Sequence, residues 1–328
     1  MKMKTIRWGI IGCGDVTEVK SGPALQKADH SALVAVMRRN GQLAEDFARR
    51  HGVPQWYDDA AALIHDPHVD AVYIATPPSS HKEYTLMSAA AGKPVYVEKP
   101  MARNTAECQA MIAACHKANV PLFVAYYRRA LARFLKIKEM LDKQAIGEVR
   151  LVTVTLYQPP PSEQNLNWRV DPNTAGGGYF VDLASHMLDF LDFILGPISQ
   201  VHGFASNHGR LYPAEDIVTG TFLFASGVHG VGTWCFTAHE RLDHTEIVGS
   251  KGKIAYSTFD DQPIILTTAA GTQEFPYDYP PHIQQPLIQQ MVNAHNGIGT
   301  CASSGETAVC TTWVMEQMLQ KLLPHELI

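Results

Sequence analysis

Val95, Tyr96 and Val97 run directly into Glu98, Lys99 and Pro100. Three apolar residues bounded by prolines read as a short buried strand. In an open parallel sheet ligands bind beyond the carboxyl ends of the strands, so an acid and an ammonium group at this strand end stand where a ligand lies. Taken alone, the tripeptide is equally a solvated Glu-Lys pair in a loop. Other residues change that balance. Gly12-Cys13-Gly14 follows the apolar run Ile6–Ile11, with Asp15 and Val16 behind it. This is the start of a dinucleotide turn, in which Gly12 permits the sharp bend and Gly14 lets backbone amides approach a pyrophosphate at a helix amino terminus. Farther along, Asp182, His186 and Asp189 recur at i, i+4 and i+7 behind three successive glycines, Gly176–Gly178. On a helix that spacing gives one polar face, opposite an apolar one of Leu183, Met187, Phe190, Leu191 and Ile194. A solvated stripe is the plainer reading, yet three glycines let something come close to the backbone.

A dinucleotide turn needs a strand before it and a helix behind it. The third fingerprint position holds Thr17, and Ser21-Gly22-Pro23 interrupts the first helix, with Ser21 placed to cap a second one. The next strand, Ala32–Met37, ends in Arg38-Arg39-Asn40 where an NAD site would carry an acid. Two arginines there suit a 2′-phosphate, so NADP(H) is favoured over NAD(H). The strand Ala71–Ala75 leads into Thr76, Pro77 and His81, which would line the same crevice as Lys99. Strands alternate with helices to Val124, the pattern of a doubly wound parallel sheet. Beyond a helix near Ala132–Lys143 the chain changes to alternating strands at Val149–Leu156, Ile217–Phe224, Gly230–Phe236 and His244–Val248, which predict a large, mainly antiparallel open sheet. Helices close the chain, one near Ile283–Asn296 and one opened by a Ser303–Glu306 capping box. The fold class is therefore α/β: a Rossmann dinucleotide-binding domain over 1–125, and an α+β substrate-binding and oligomerisation domain over 126–328.

The 328 residues are long enough for two domains, and a hydrophobic share of 46% excludes a disordered chain. A net charge of −5 without like-charge runs offers no footprint for nucleic acid or an acidic membrane. No stretch is long and apolar enough for a span, and nothing after Met1–Thr5 resembles a cleavage site. Six scattered cysteines lack metal or disulfide spacing, which predicts reduced thiols, no metal site and a cytoplasmic protein.

In order and spacing, Gly12-x-Gly14, Glu98-Lys99-Pro100 and Gly176–Gly178 followed by Asp182-x-x-x-His186 resemble the Gfo/Idh/MocA family of oxidoreductases. Thr76–His81, Ile146-Gly147-Glu148 and Trp168-Arg169 look like further signatures of it. The resemblance spans nearly the whole chain. It implies a nicotinamide cofactor held by Gly12, Cys13, Gly14, Asp15, Val16, Arg38, Arg39, Thr76, Pro77, His81, Glu98, Lys99, Trp168 and Arg169. Lys99, Asp182 and His186 match the family's catalytic positions, and the sheet face of the second domain implies a homodimer or homotetramer. Hydride transfer between a carbinol or carbonyl carbon and nicotinamide C4 requires a proton to be lost or gained at oxygen, which suits an imidazole or an amine. Tyr126, Arg128 and Tyr157 would suit a sugar-like or polyol substrate. Two alternatives belong to the same family: a cofactor-binding regulator without turnover, and an NAD-dependent glycosidase. Retention of both Lys99 and His186 weighs against the first, and Arg38-Arg39 against the second.

Overall fold

The computed structural model describes residues 3–320, which form two compact units. Among the described residues the first comprises 3–131 and 279–309, and the second 132–278 and 310–320. In the first unit, β1 (Ile6–Ile11), β2 (Ser31–Met37), β3 (Gln55–Tyr57), β4 (Ala71–Ile74), β5 (Val95–Val97) and β6 (Leu122–Val124) make a wholly parallel sheet of order β3-β2-β1-β4-β5-β6. The helices α1 (Gly22–Lys27), α2 (Gly41–His51), α3 (Ala60–His65), α4 (His81–Ala90) and α5 (Thr105–Ala118) connect its strands. Every residue of β4, β5 and β6 is buried, as a parallel sheet covered on both faces demands. Strand order reverses between β1 and β4, so the crevice for a ligand opens at the ends of those two strands.

Ser21 does not cap α1. Its hydroxyl donates backwards to the Val16 carbonyl at 3.3 Å, because Thr17–Ser21 forms a wide π-helical turn that runs straight into α1. Thr17 is fully buried and its hydroxyl donates to Gly14 O at 2.7 Å, so the third fingerprint position braces the glycine turn from inside.

The second unit begins with α6 (Ala132–Asp142). Its eight-stranded sheet runs β14-β13-β12-β11-β7-β10-β9-β8, from β7 (Val149–Tyr157), β8 (Ile198–Ser206), β9 (Ile217–Phe224), β10 (His229–Cys235), β11 (Leu242–Gly249), β12 (Gly252–Tyr256), β13 (Ile264–Thr268) and β14 (Gly271–Phe275). All neighbours are antiparallel except β7 and β10. One face is apolar and buried, carrying Val152, Val154, Leu156, Val218, Trp234 and Ile247. The short α7 (Pro172–Ala175) and the longer α8 (Ser185–Leu195) follow β7 in the chain. Phe180, just ahead of α8, packs edge-on against Trp234 at 5.1 Å, and Phe190 of α8 packs against Tyr256, so α8 covers the buried face. The other face exposes Phe204, Val231 and Leu242.

Two last helices, α9 (Gln285–His295) and α10 (Gly305–Leu319), close the described chain. Residues 279–309 rejoin the first unit, a return that a single division near residue 125 does not contain. Ser303 explains the join. It is fully buried and its hydroxyl donates to Val124 O at 2.8 Å, while Ser304 bridges Phe123 across the end of β6. The expected Ser303–Glu306 box is therefore displaced: Ser304 and Thr307 exchange the local hydrogen bonds at the start of α10. Among the described residues no helix is long and apolar enough to cross a membrane.

Candidate functional site

Each unit carries its own half of the predicted machinery. In the first, Gly12 has φ +93°, and a Cβ there would stand 3.0 Å from the Ala75 carbonyl carbon, so glycine is required by both conformation and space. The amides of Gly12 and Cys13 donate to Met37 O, and that of Gly14 to Gly12 O. Gly14 differs in its surroundings: a Cβ would meet nothing nearer than Gly12 O at 4.0 Å. The helical backbone then starts at Asp15 and Val16, whose first-turn amides have no partner within a helix. An open glycine flanked by such amides fits a pyrophosphate. Arg38 and Arg39 are exposed just beyond β2, and Arg38 Nη1 reaches to 3.5 Å from Cys13 O, beside that turn. Asn40 is used locally, its side chain capping α2 through Leu43 N.

Lys99 lies past the end of β5 in a peptide joined to Pro100 in the cis form. The Glu98 carboxylate beside it is buried and engaged within the protein. Oε1 accepts from the Tyr73 hydroxyl at 2.6 Å and from Gln284 Nε2 at 2.7 Å, and Oε2 accepts from the Lys99 backbone N–H at 3.1 Å. Tyr96 completes the set by donating to Gln284 Oε1 at 2.7 Å, its ring stacked on Tyr73. Glu98, expected to meet the cofactor, thus braces the Lys99 peptide instead, because three donors and burial hold its carboxylate. The Tyr73 hydroxyl is held protonated well above its ordinary range, by burial first and then by the negative charge of Glu98.

His81 is also corrected. The ring is fully buried, with Nε2 at 2.7 Å from Thr76 O and Nδ1 at 3.1 and 3.2 Å from Pro100 O and Met101 O. Burial lowers its proton affinity, opposed by the backbone carbonyls around it, and the ring ties the loop after β4 to the turn after Lys99. Thr76 keeps its place: its Cγ2 would lie 2.7 Å from a Cβ on Gly12, and its hydroxyl accepts from Ser80 at 2.9 Å. Pro77 is half-buried beside it. Tyr126 is fully buried within the apolar core of this unit, so its ring is spent on packing and not on substrate. Arg128 is buried too, with its guanidinium 5.1 Å over the Tyr127 ring.

In the second unit a wide π-helical turn, Phe180–Ala184, stands between the glycines and α8. That turn disrupts the expected 3.6-residue face. Asp182 is half-buried on it and pairs with Arg169 Nε at 3.3 Å, while the Arg169 guanidinium stacks 4.6 Å from the Trp168 ring. His186 and Asp189 are buried, at 5% and 1% exposure, so the stripe is not solvated. His186 packs edge-on against Phe259. Tyr157 is removed from this group by parity. It ends β7 paired with Cys235 and Leu242, on the open face with Val231, whereas α8 covers the opposite face.

Two further polar residues are built into these segments, Gln284 and Glu215. Glu215 is 3% exposed, and its Oε1 accepts from Gly178 N at 2.7 Å. Burial pushes its carboxyl up to about 7. The sequence signals were faint: a tyrosine tip inside the apolar strand β4, which needs a partner, and an acid pair directly ahead of the strand β9.

The first unit is by these features a dinucleotide-binding Rossmann domain, followed by a mainly antiparallel α+β unit. Residues 6–126 match the model for the oxidoreductase family with an NAD-binding Rossmann fold, and residues 134–255 match a carboxy-terminal domain of the same family. The chain is 42% identical over 318 residues to oxidoreductase P35 of Formosa agariphila, covering 95% of this chain and 97% of that protein. It is 29% identical to the trans-1,2-dihydrobenzene-1,2-diol dehydrogenase of Sus scrofa, over 93% and 88% of the two chains. Among solved structures, the aldose-aldose oxidoreductase of Caulobacter crescentus superposes with a TM-score of 0.85 at 24% identity, covering 96% of each chain, a likeness of fold. The chain belongs to the Gfo/Idh/MocA family of oxidoreductases.

Proposed function

We propose that this protein is an NADP(H)-dependent oxidoreductase of a small polyhydroxylated substrate, a sugar, polyol or cyclic vicinal diol. The observation that carries the reading is the arrangement in the first unit, where a glycine turn with open space over Gly14 shares a sheet with Lys99, whose peptide is braced by buried Glu98. Exposed Arg38 and Arg39 beside the turn support a 2′-phosphate, and Lys99, Trp168 and Arg169 join the cofactor-binding set. The dihydrodiol dehydrogenase relative supports a carbinol with a neighbouring hydroxyl. A bound nicotinamide would supply the hydride acceptor for oxidation of the carbinol carbon and the hydride donor for the reverse reduction. The chain's own task is the proton on oxygen. Lys99 supplies an ammonium donor that stabilises a developing alkoxide, His186 an imidazole that can take or give a proton, and Asp182 a carboxylate that orients the substrate hydroxyls. Arg128 is kept as a substrate contact.

Six cysteines in the thiol state support a cytoplasmic location, and the exposed Phe204, Val231 and Leu242 support a homodimer or homotetramer through the open sheet face. The test is a panel of aldoses, inositols, dihydrodiols and dicarbonyls with NADP(H) and NAD(H), following reduced-nicotinamide absorbance. Turnover of a polyol-like compound, faster with NADP(H), is the expected result. A protein that binds NADP(H) and turns over nothing in the panel is a regulator instead.

A further inference from the structure

We propose that Glu215 is a positioning residue for the reaction: its carboxylate latches the Gly177-Gly178 backbone, and through it sets the π-helical turn that presents Asp182 and the helix that presents His186. This rests on the functional reading above. The geometry is closed on one side and continuous on the other. A Cβ on Gly177 would meet Glu215 Oε1 at 3.2 Å and Oε2 at 3.4 Å, and a Cβ on Gly178 would meet Oε1 at 3.2 Å, so both carboxylate oxygens lie against the bare glycine backbone. The Gly178 N–H donates to Oε1 at 2.7 Å, and Gly178 O accepts from Asp182 N at 3.2 Å. One residue thus connects the buried carboxylate, through an i to i−4 bond, to Asp182 on the π-helical turn, whose last residue, Ala184, directly precedes α8.

The neighbouring Asp216 has a separate duty, accepting from His208 N at 2.8 Å and Gly209 N at 2.5 Å, so the adjacent acids hold two different loops. Gly177 is further pressed by Val181 of the π-helical turn, where a Cβ would stand 2.5 Å from Cγ2. The titratable groups that act on or feel Glu215 are Asp216 and Tyr212 on its own loop; Tyr179 of the facing segment is adjacent to Tyr212 and carries the influence of Asp182 and Arg169 one residue farther out. Burial, the largest influence, and the negative Asp216 both raise its proton affinity, opposed by the Gly178 N–H, and the balance falls at about 7. An ionised carboxylate accepts from an amide more strongly than a neutral one, so the latch tightens as pH rises through neutrality.

The test uses the full-length protein with Glu215→Gln and Glu215→Ala. Glutamine keeps a carbonyl acceptor for Gly178 but cannot ionise; alanine removes the acceptor. In glycine-labelled protein, the Gly178 amide shift is expected to follow a single inflection near pH 7, absent from Glu215→Gln. With the best substrate of the panel, kcat of Glu215→Ala should fall by about 10²-fold, the usual cost of displacing catalytic groups by an ångström. NADP(H) affinity should change far less than kcat, since the glycine turn of the first unit is untouched and only the Arg169–Asp182 pair adjoins the displaced turn. The ratio of unmodified to Glu215→Gln kcat should climb through pH 7 and stay flat elsewhere. A Gly178 amide indifferent to pH, or a kcat unchanged in Glu215→Ala, overturns the proposal. An unmodified protein that turns over nothing while Gly178 titrates overturns the functional reading and leaves the latch in place.

Discussion

The chain has two glycine turns, and they are built in opposite senses. At Gly12–Gly14 the bend closes on its own strands, but the space over Gly14 is left open at the start of the helical backbone. At Gly177-Gly178 the backbone is just as bare, yet a buried carboxylate and the Ala214 methyl occupy the room that side chains would need. The first turn is shaped for a ligand's negative charge, and the second already contains the protein's own. A run of glycines states only that something approaches closely. What approaches is decided by segments far away in sequence.

The largest effect should come from the two candidate proton-handling residues, one in each unit. Replacing Lys99 or His186 by alanine is expected to slow turnover by about 10²- to 10⁴-fold, the worth of a positioned acid or base, with little change in thermal stability. Steady-state kinetics and a melting curve check this. If one variant keeps nearly the original rate, only one of the two units supplies a proton-handling group.

Alanine in the turns themselves should separate a binding defect from a folding defect. In Gly178→Ala the new methyl would stand 2.8 Å from both Ala214 Cβ and Glu215 O. Backbone must then move, at a cost of about 1–3 kcal/mol in a denaturation experiment. Gly14→Ala meets no such obstacle and should leave the unfolding midpoint within about 0.5 kcal/mol of the unmodified protein, while weakening NADP(H) in calorimetric titration. Equal losses of stability in the two variants would erase the contrast.

The smallest effect concerns the cofactor's 2′-phosphate. Exposed arginines contribute modestly one by one, so replacing both Arg38 and Arg39 by alanine should lower NADP(H) affinity by about tenfold, with NAD(H) nearly unaffected. An unaltered ratio of the two affinities would move the 2′-phosphate contact elsewhere on the turn.

Local patterning carried much of this molecule. The alternation of strands and helices up to Val124 specified the Rossmann order, since a βαβ chain with short connections has few ways to lie flat. Period-two alternation in β7, β9, β10 and β11 announced a sheet with one wet face, although β8, β12, β13 and β14 were too irregular or too polar to stand out. The Lys99, Asp182 and His186 positions were legible as motifs, because chemistry requires particular residue types at fixed spacing.

Sequence alone determined the class of fold and the glycine turn after β1, and it singled out Arg38, Arg39, Lys99, Asp182 and His186 as candidates for the site. Tertiary structure decided which polar groups face inward. Glu98 and His81 look like ligand contacts in a linear string, but the strand ends bring Tyr73, Gln284 and the Thr76, Pro100 and Met101 carbonyls around them, and a buried polar group must spend its hydrogen bonds where its partners are. Gln284 comes from 186 residues away and Glu215 reaches Gly178 across 37. No local periodicity encodes such meetings, because they follow from where the segments end up after the core has packed.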